Sequence, residues 1–191
     1  MVEDVGPHLM SILDEVQTYF MTSLEGGIAC LPEKPEGWAF AGMNTETAVS
    51  QLVAARALFP GRPSPRFLDC GSGLAFVTAL ARRLGFNASG VEWNERYVSL
   101  AKQLFPSSNT LQGDVLEFTG YADYDVIYYY GPFSDETLQR RFEEKVEDEA
   151  KVGAVIIGNR KASDSWRASK RFEHLAGDGF MGVFLRKIAG S

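Results

Sequence analysis

Phe67-Leu68-Asp69-Cys70-Gly71-Ser72-Gly73 is a short apolar run that closes on an acid and two glycines, and the helical pattern Leu74 to Leu84 follows directly. Such a stretch reads as a strand, a tight turn and a helix. Glycine at 71 and 73 removes the Cβ atoms that would keep a ligand from the backbone, and the amides of the following helix's first turn face the same gap. The segment predicts an α/β unit whose loop holds a ligand.

The next acid narrows the choice of ligand. Ala88-Ser89-Gly90-Val91-Glu92 makes a second short strand, and Glu92 lies 19 positions after Gly73. A carboxylate at the tip of the second strand of a βαβ unit can accept both hydroxyls of a ribose. A dinucleotide fingerprint needs a third glycine where its helix packs on the strand, and Phe76 stands there instead. No basic residue lies near the turn to meet a pyrophosphate or a 2′-phosphate. A nucleoside without phosphate fits better than NAD or NADP.

On these residues the chain resembles the class I S-adenosylmethionine-dependent methyltransferases, from about Arg66 to Phe133. Asp69 to Gly73 is similar to the family's D-x-G-x-G loop and Glu92 to its ribose-binding acid. Gly113-Asp114-Val115, a further 22 residues on, is similar to the segment that reads the adenine edge, and Asp125 to Tyr130 to the fourth strand. The resemblance implies S-adenosyl-L-methionine as cofactor, with Asp69, Cys70, Gly71, Ser72 and Gly73 under its methionine part. Asp69 would orient the amino group, directly or through water. Glu92 would grip the ribose with Trp93 beside it, Asp114 would accept from the adenine amino group, and Val115 or Leu116 would pack on the ring. Each has a plainer reading: Asp69 as a cap, Glu92 as a solvated turn residue, Asp114 as an ordinary Gly-Asp turn.

Methyl transfer is a direct displacement from a sulfonium already primed to lose its methyl, so alignment of a nucleophile and exclusion of water matter more than a strong base. The lack of a well-placed histidine is therefore no objection; His8 and His174 are expected in surface or packing roles. Amino-directed relatives carry [Asp/Asn/Ser]-Pro-Pro-[Tyr/Phe] after the fourth strand, where this chain has Tyr130-Gly131-Pro132-Phe133. The polar first residue is missing, which puts adenine or cytosine amino methylation in doubt. The carbonyls of Tyr130 and Gly131 could receive amine hydrogens, Phe133 could supply a flat packing surface with Pro132, and Tyr130 is the candidate catalytic residue as a weak base or hydrogen-bond partner. Three tyrosines in a row could equally be strand residues facing core and helix. Trp38, Phe40, Gly42, Met43 and Asn44 read either as a lid over the sulfonium or as core packing, with Trp38 and Asn44 as candidate substrate contacts. Cys70, at the variable position of the loop, is expected to pack rather than react. The reading is a methyltransferase acting on a nitrogen or oxygen nucleophile. A regulatory module that binds the cofactor without turnover is the alternative, and an oxidoreductase is disfavoured by Phe76.

At 191 residues the chain has room for one domain and little for a second. No apolar run approaches the ~20 residues of a membrane span, and Met1-Val2-Glu3-Asp4 is acidic where a signal peptide would be basic, so a cytoplasmic location is expected. Cys30 and Cys70 have no metal-ligand spacing, and no metal is expected. A net charge of −6 argues mildly against a nucleic-acid surface and favours a small-molecule or protein substrate. Seven basic residues against three acidic ones follow Asn159, read as a solvated surface in preference to an anionic-substrate patch.

Periodicity places a helix at residues 5–22 and a Gly/Pro-rich linker from Gly26 to Gly42. Asn44 caps a helix to about Leu58. Further helices are expected to end at Gly85, to run from Asn94 to Phe105 and from Ser134 to Glu149, and strands at Thr110–Gln112, Tyr124–Tyr130 and Ala154–Gly158. A short helix at Ser163–Ser169 and a hairpin turning at Ala176–Gly179 close the chain. The predicted architecture is α/β: a single Rossmann-like, doubly wound, mostly parallel sheet with helices on both faces, a C-terminal antiparallel hairpin and an N-terminal helical extension. Residues 1–45 form the extension and lid, and 46–191 the Rossmann-like domain.

Overall fold

Alternating apolar strands and amphipathic helices build one seven-stranded sheet in the computed structural model, which describes residues 43–178 and 181–190. The predicted helix at 5–22 and the lid residues Trp38, Phe40 and Gly42 lie outside the described residues. The elements are α1 (Thr45–Ala57), β1 (Arg66–Cys70), α2 (Phe76–Arg83), β2 (Asn87–Glu92), α3 (Glu95–Leu104), β3 (Asn109–Gln112), β4 (Val126–Tyr130), α4 (Glu136–Glu149), β5 (Val155–Asn159), β6 (Phe172–Asp178) and β7 (Met181–Lys187). Strand order is β3-β2-β1-β4-β5-β7-β6, parallel from β3 to β5 and antiparallel across the final hairpin. This is the doubly wound Rossmann-like arrangement that the sequence predicts.

Strand order reverses between the parallel neighbours β1 and β4, and ligands of such sheets bind at the carboxyl ends of the strands flanking that switch. The two faces are sealed differently. Phe67, Val126, Tyr128, Val155 and Ile157 pack under Leu52 and Ala55 of α1 and Leu80 and Ala81 of α2. Leu68, Cys70, Ile127, Tyr129 and Ile156 pack under Phe142 and Val146 of α4. Consecutive tyrosines of β4 thus serve opposite cores, as the strand's two-residue period requires. Met43 is buried in the first cluster, which favours its packing reading over a lid role.

Helix ends follow local chemistry. Asn44 Oδ1 accepts from Thr47 N at 3.1 Å, and Asn94 Oδ1 from Arg96 N at 2.9 Å. Gly85, at φ +85°, closes α2 with bonds from its own amide to Arg82 O and from Phe86 N to Ala81 O, the paired pattern of a left-handed C-terminal cap. Asp135, not Ser134, caps α4 through Leu138 N at 2.8 Å. β4 starts at Val126 rather than Tyr124, because the Asp125 carboxylate draws in Arg62, Lys151 and the Arg66 amide. The expected helix at Ser163–Ser169 is a 3-10 turn over Ser165–Ala168. The first hairpin strand runs into the expected turn at Ala176–Gly179, to Asp178: irregularities beside Ala176 absorb Gly177 into β6, where a Cβ would meet Gly182 O at 2.0 Å.

Candidate functional site

The loops after β1 and β4 meet at the switch point. Gly71 (φ +73°) and Gly73 (φ +53°) adopt left-handed backbone, which glycine enters without strain. A Cβ at Gly71 would stand 3.0 Å from the Pro132 Cβ, so the space that glycine clears there is filled by the chain's own β4 loop rather than left to a ligand. Pro132, a candidate substrate contact, thereby acts as the packing partner of the glycine loop.

The loop's amides are also engaged internally. Gly71 N and Ser72 N donate to Val91 O at 2.9 and 3.0 Å, Ala75 N to Ser72 O at 2.8 Å, and Gly73 N to Glu92 Oε2 at 2.8 Å. Ala75 stands at φ +61°, so α2 begins at Phe76 instead of Leu74. The loop amides of Gly71, Ser72, Gly73 and Ala75 are thus already engaged within the chain. Glu92 is 8% exposed, and Asn94 N occupies its other oxygen at 2.8 Å. A carboxylate already sits where a pyrophosphate would seek the Gly73 amide, and its negative charge repels one. The Trp93 amide also bonds this carboxylate, and a hydroxyl would take an acceptor site that the three amides leave.

Asp69 lies below the same loop, 3% exposed, and accepts from the Thr78 hydroxyl at 2.8 Å. Burial is the main cause that pushes its carboxyl up to about 7, with the Glu92 charge adding to it against the Thr78 bonds. Burial also raises Glu92, opposed by the backbone amides that hold it. Two buried hydroxyls border this group without a hydrogen-bond partner among the described residues, Ser72 Oγ and Tyr128 Oη. Ser72 and Thr78 fill the place of a side chain on Gly90, where a Cβ would lie within 2.6 and 2.9 Å of their oxygens. Thr78 and Gly90 were not singled out from the sequence, although a hydroxyl two residues into a helix after an acidic strand end is a readable signal.

The remaining candidates divide. Cys70 is 1% exposed in the α4-side core, and burial raises its thiol well above the usual range, so its side chain packs as expected. Asp114 Oδ1 accepts from Leu116 N at 2.8 Å, shaping the turn after β3, and Val115 is buried behind it. Trp93, following Glu92, is 40% exposed. Asn44 is exposed, and its side-chain oxygen serves the helix cap rather than facing the switch point; Trp38 lies outside the described residues. Phe133 packs near Phe142, with ring centroids 6.0 Å apart, and its amide donates to Gln139 Oε1 at 3.2 Å. Tyr130 is half-buried with the Arg160 guanidinium over its ring, 5.5 Å from the centroid.

A buried polar network behind these loops escaped the sequence reading. Gln139 donates to Glu143, and Glu143 accepts from Lys161 Nζ at 3.0 Å and from Ala162 N and Ser163 N at 2.8 Å each. Lys161 also reaches Glu147 at 2.8 Å. The network ties the loops after β4 and β5 to α4. The basic C-terminal stretch is largely a paired surface: Arg167 meets Asp164, Arg171 meets Asp148, and Arg186 meets Glu173. No group of three or more His, Cys, Asp or Glu suited to a metal ion occurs among the described residues, nor any helix long and apolar enough to cross a membrane.

No family model matches the chain, and no curated protein sequence matches it. Solved structures do. A Thermoplasma acidophilum protein superposes with a TM-score of 0.59 at 20% identity, over 81% of this chain and 90% of its own. The ribosomal protein L11 methylase of Lactobacillus delbrueckii subsp. bulgaricus gives 0.58 at 12% identity, over 78% and 82%. An RNA methyltransferase of Salinibacter ruber, in complex with S-adenosyl-L-homocysteine, gives 0.57 at 18% identity, over 78% and 94%. The fold is that of the class I S-adenosylmethionine-dependent methyltransferases. In that fold the glycine loop, Glu92 and the β4 loop of this chain occupy the carboxyl ends of β1, β2 and β4.

Proposed function

We propose that this chain is an S-adenosylmethionine-dependent methyltransferase acting on a nitrogen or oxygen nucleophile. The observation that carries the reading is Glu92, whose carboxylate is fixed by Gly73 N and Asn94 N beneath the glycine loop. That arrangement offers acceptors to ribose hydroxyls and refuses a phosphate. The residues also fit the rest of the ligand: two buried hydroxyls without partners among the described residues, Ser72 Oγ and Tyr128 Oη, and the buried Asp69 carboxyl border the loop, polar groups suited to an amino-acid moiety. When bound, the cofactor supplies an electrophilic methyl on a sulfonium.

The protein's part is positioning. Asp69 would meet the cofactor's ammonium, and that charge would favour loss of the Asp69 proton. Glu92 would hold the ribose, Asp114 and Val115 the adenine edge, and Trp93 the flank of the nucleoside. On the other side of the switch point, Tyr130, Gly131, Pro132 and Phe133 would form the acceptor wall, with Tyr130 as hydrogen-bond partner of the nucleophile. Calorimetry with S-adenosylmethionine, followed by S-adenosylhomocysteine release over a panel of amine and hydroxyl acceptors, tests the reading. Absence of binding would refute it; binding without turnover on any acceptor would favour a regulatory module.

A further inference from the structure

Five residues make the buried face of α4, and three of them are polar: Gln139, Glu143 and Glu147 share it with Phe142 and Val146. A helix seated on a sheet ordinarily turns an apolar stripe inward. Burying amide and carboxylate groups there costs free energy unless their hydrogen-bonding positions are met. Glu143, fully buried, accepts four bonds, two on each oxygen: Oε1 from Gln139 Nε2 and Ala162 N, both at 2.8 Å, and Oε2 from Lys161 Nζ at 3.0 Å and Ser163 N at 2.8 Å. Gln139, 3% exposed, extends the connection, for its Oε1 accepts from Phe133 N at 3.2 Å. One carboxylate thus holds the loop after β5 directly and the loop after β4 through a single carboxamide.

The acceptor wall, residues 130–133, is held at its other end by a second buried carboxamide. Gly131 N donates to Asn159 O at 2.9 Å, and Asn159 Nδ2 donates to Tyr129 O at 3.3 Å. Asn159 is itself fully buried in a reciprocal amide pair with Gln51, at 2.8 and 3.1 Å. Arg160 follows at φ +54° and lays its stem across Gly131, where a Cβ would lie 2.8 Å from the Arg160 Cβ. Between the two ends Pro132 packs against Gly71. The wall's place relative to the glycine loop is therefore set from behind. In a displacement the nucleophile must lie about 3–3.5 Å from the methyl carbon and in line with the sulfur, and a shift of about 1 Å costs about a hundredfold in rate.

We propose that Gln139 is a positioning residue for methyl transfer: it holds Phe133, and with it the acceptor lying on the wall, in line with the methyl donor while touching neither. The role rests on the methyltransferase reading, and the test separates the two. S-adenosylhomocysteine binding is first measured by calorimetry, and the amine and hydroxyl panel supplies the acceptor; absence of binding, or of turnover on every acceptor, removes that reading and the role with it. Two variants are then compared with wild type on the acceptor found. Gln139→Met keeps the length of the side chain and leaves Glu143 three of its four donors, but frees Phe133 N. Its kcat should fall about tenfold or more, with S-adenosylhomocysteine affinity and the acceptor KM in place, the pattern of an interaction that matters only in the transition state. Gln139→Glu carries its own control. Its protonated carboxyl can donate to Glu143 and accept from Phe133 N as the amide does, whereas its ionised form beside the Glu143 carboxylate cannot donate. The ratio of its kcat to that of wild type should therefore be near one at low pH and fall about tenfold or more as pH rises, a step within one folded chain that a loss of packing would not give. Equal kcat in wild type and Gln139→Met, or a Gln139→Glu ratio that stays flat with pH, overturns the proposal and leaves the methyltransferase reading standing.

Discussion

Asp69→Asn tests the electrostatics of the site directly. The wild-type carboxyl is buried and pushed up to about 7 from 3.8, chiefly by desolvation. Below pH 3.8 it is protonated whether the chain is folded or not. Between 3.8 and about 7 the unfolded chain releases the proton and the folded chain retains it, so stability falls as pH rises and the loss is complete above about 7. A gap of about three pH units at about 1.36 kcal/mol each corresponds to about 4 kcal/mol withheld from the fold at alkaline pH. Asparagine keeps the shape and a carbonyl oxygen for the Thr78 hydroxyl without this linkage. The stability of Asp69→Asn relative to wild type should therefore rise by about 3 kcal/mol between pH 5 and pH 8, read from urea unfolding at both values. Comparing the two proteins cancels the other carboxylates. S-adenosylmethionine affinity should move the opposite way, because the variant cannot offer a carboxylate to the ammonium. Parallel pH profiles for the two proteins would refute the argument.

Four further outcomes follow from particular contacts. Glu92→Ala should weaken S-adenosylmethionine binding by about 1–3 kcal/mol in calorimetry, since hydrogen bonds to a charged group are lost; unchanged affinity would remove Glu92 from the site. Gly71→Ala places a Cβ 3.0 Å from Pro132 on left-handed backbone and should destabilise the fold by about 1–2 kcal/mol or more in urea melts. Lys161→Met leaves Glu143 and Glu147 buried without their cation and should lower stability by about 3–5 kcal/mol, with the amides of the loop after β5 gaining hydrogen exchange. Burial alone would raise Asp125, but bonds from Lys151 and the Arg66 amide and the charges of Lys151 and Arg62 hold its carboxyl below the usual range. Its contribution is therefore present above about pH 4 and lost as pH falls through the lowered value, so Asp125→Asn should flatten the acid limb of the stability profile.

The elements were legible because their signals are local. Asp69 to Gly73, Asn94, Gly85 and the run Val155–Ile157 each announce a turn, a cap or a buried strand within a few residues, and the strand order follows from alternation and handedness. Boundaries slipped where a side chain from elsewhere intervened, as at Asp125, or where one residue took an unusual backbone, as at Ala75.

Sequence alone determined that two carboxylates and a glycine turn would converge at the strand ends, because residue spacing within a βαβ unit fixes which positions share that edge. Tertiary structure decided what those groups are worth. Only packing reveals that Pro132 fills the space above Gly71, that Glu92 takes the Gly73 amide, and that Arg160 is strained across Gly131 onto Tyr130. Each depends on segments between about 19 and 61 positions apart being brought within contact distance. The protonation of Asp69 belongs to the same class, since desolvation is a property of everything packed around a group and of nothing in its immediate sequence.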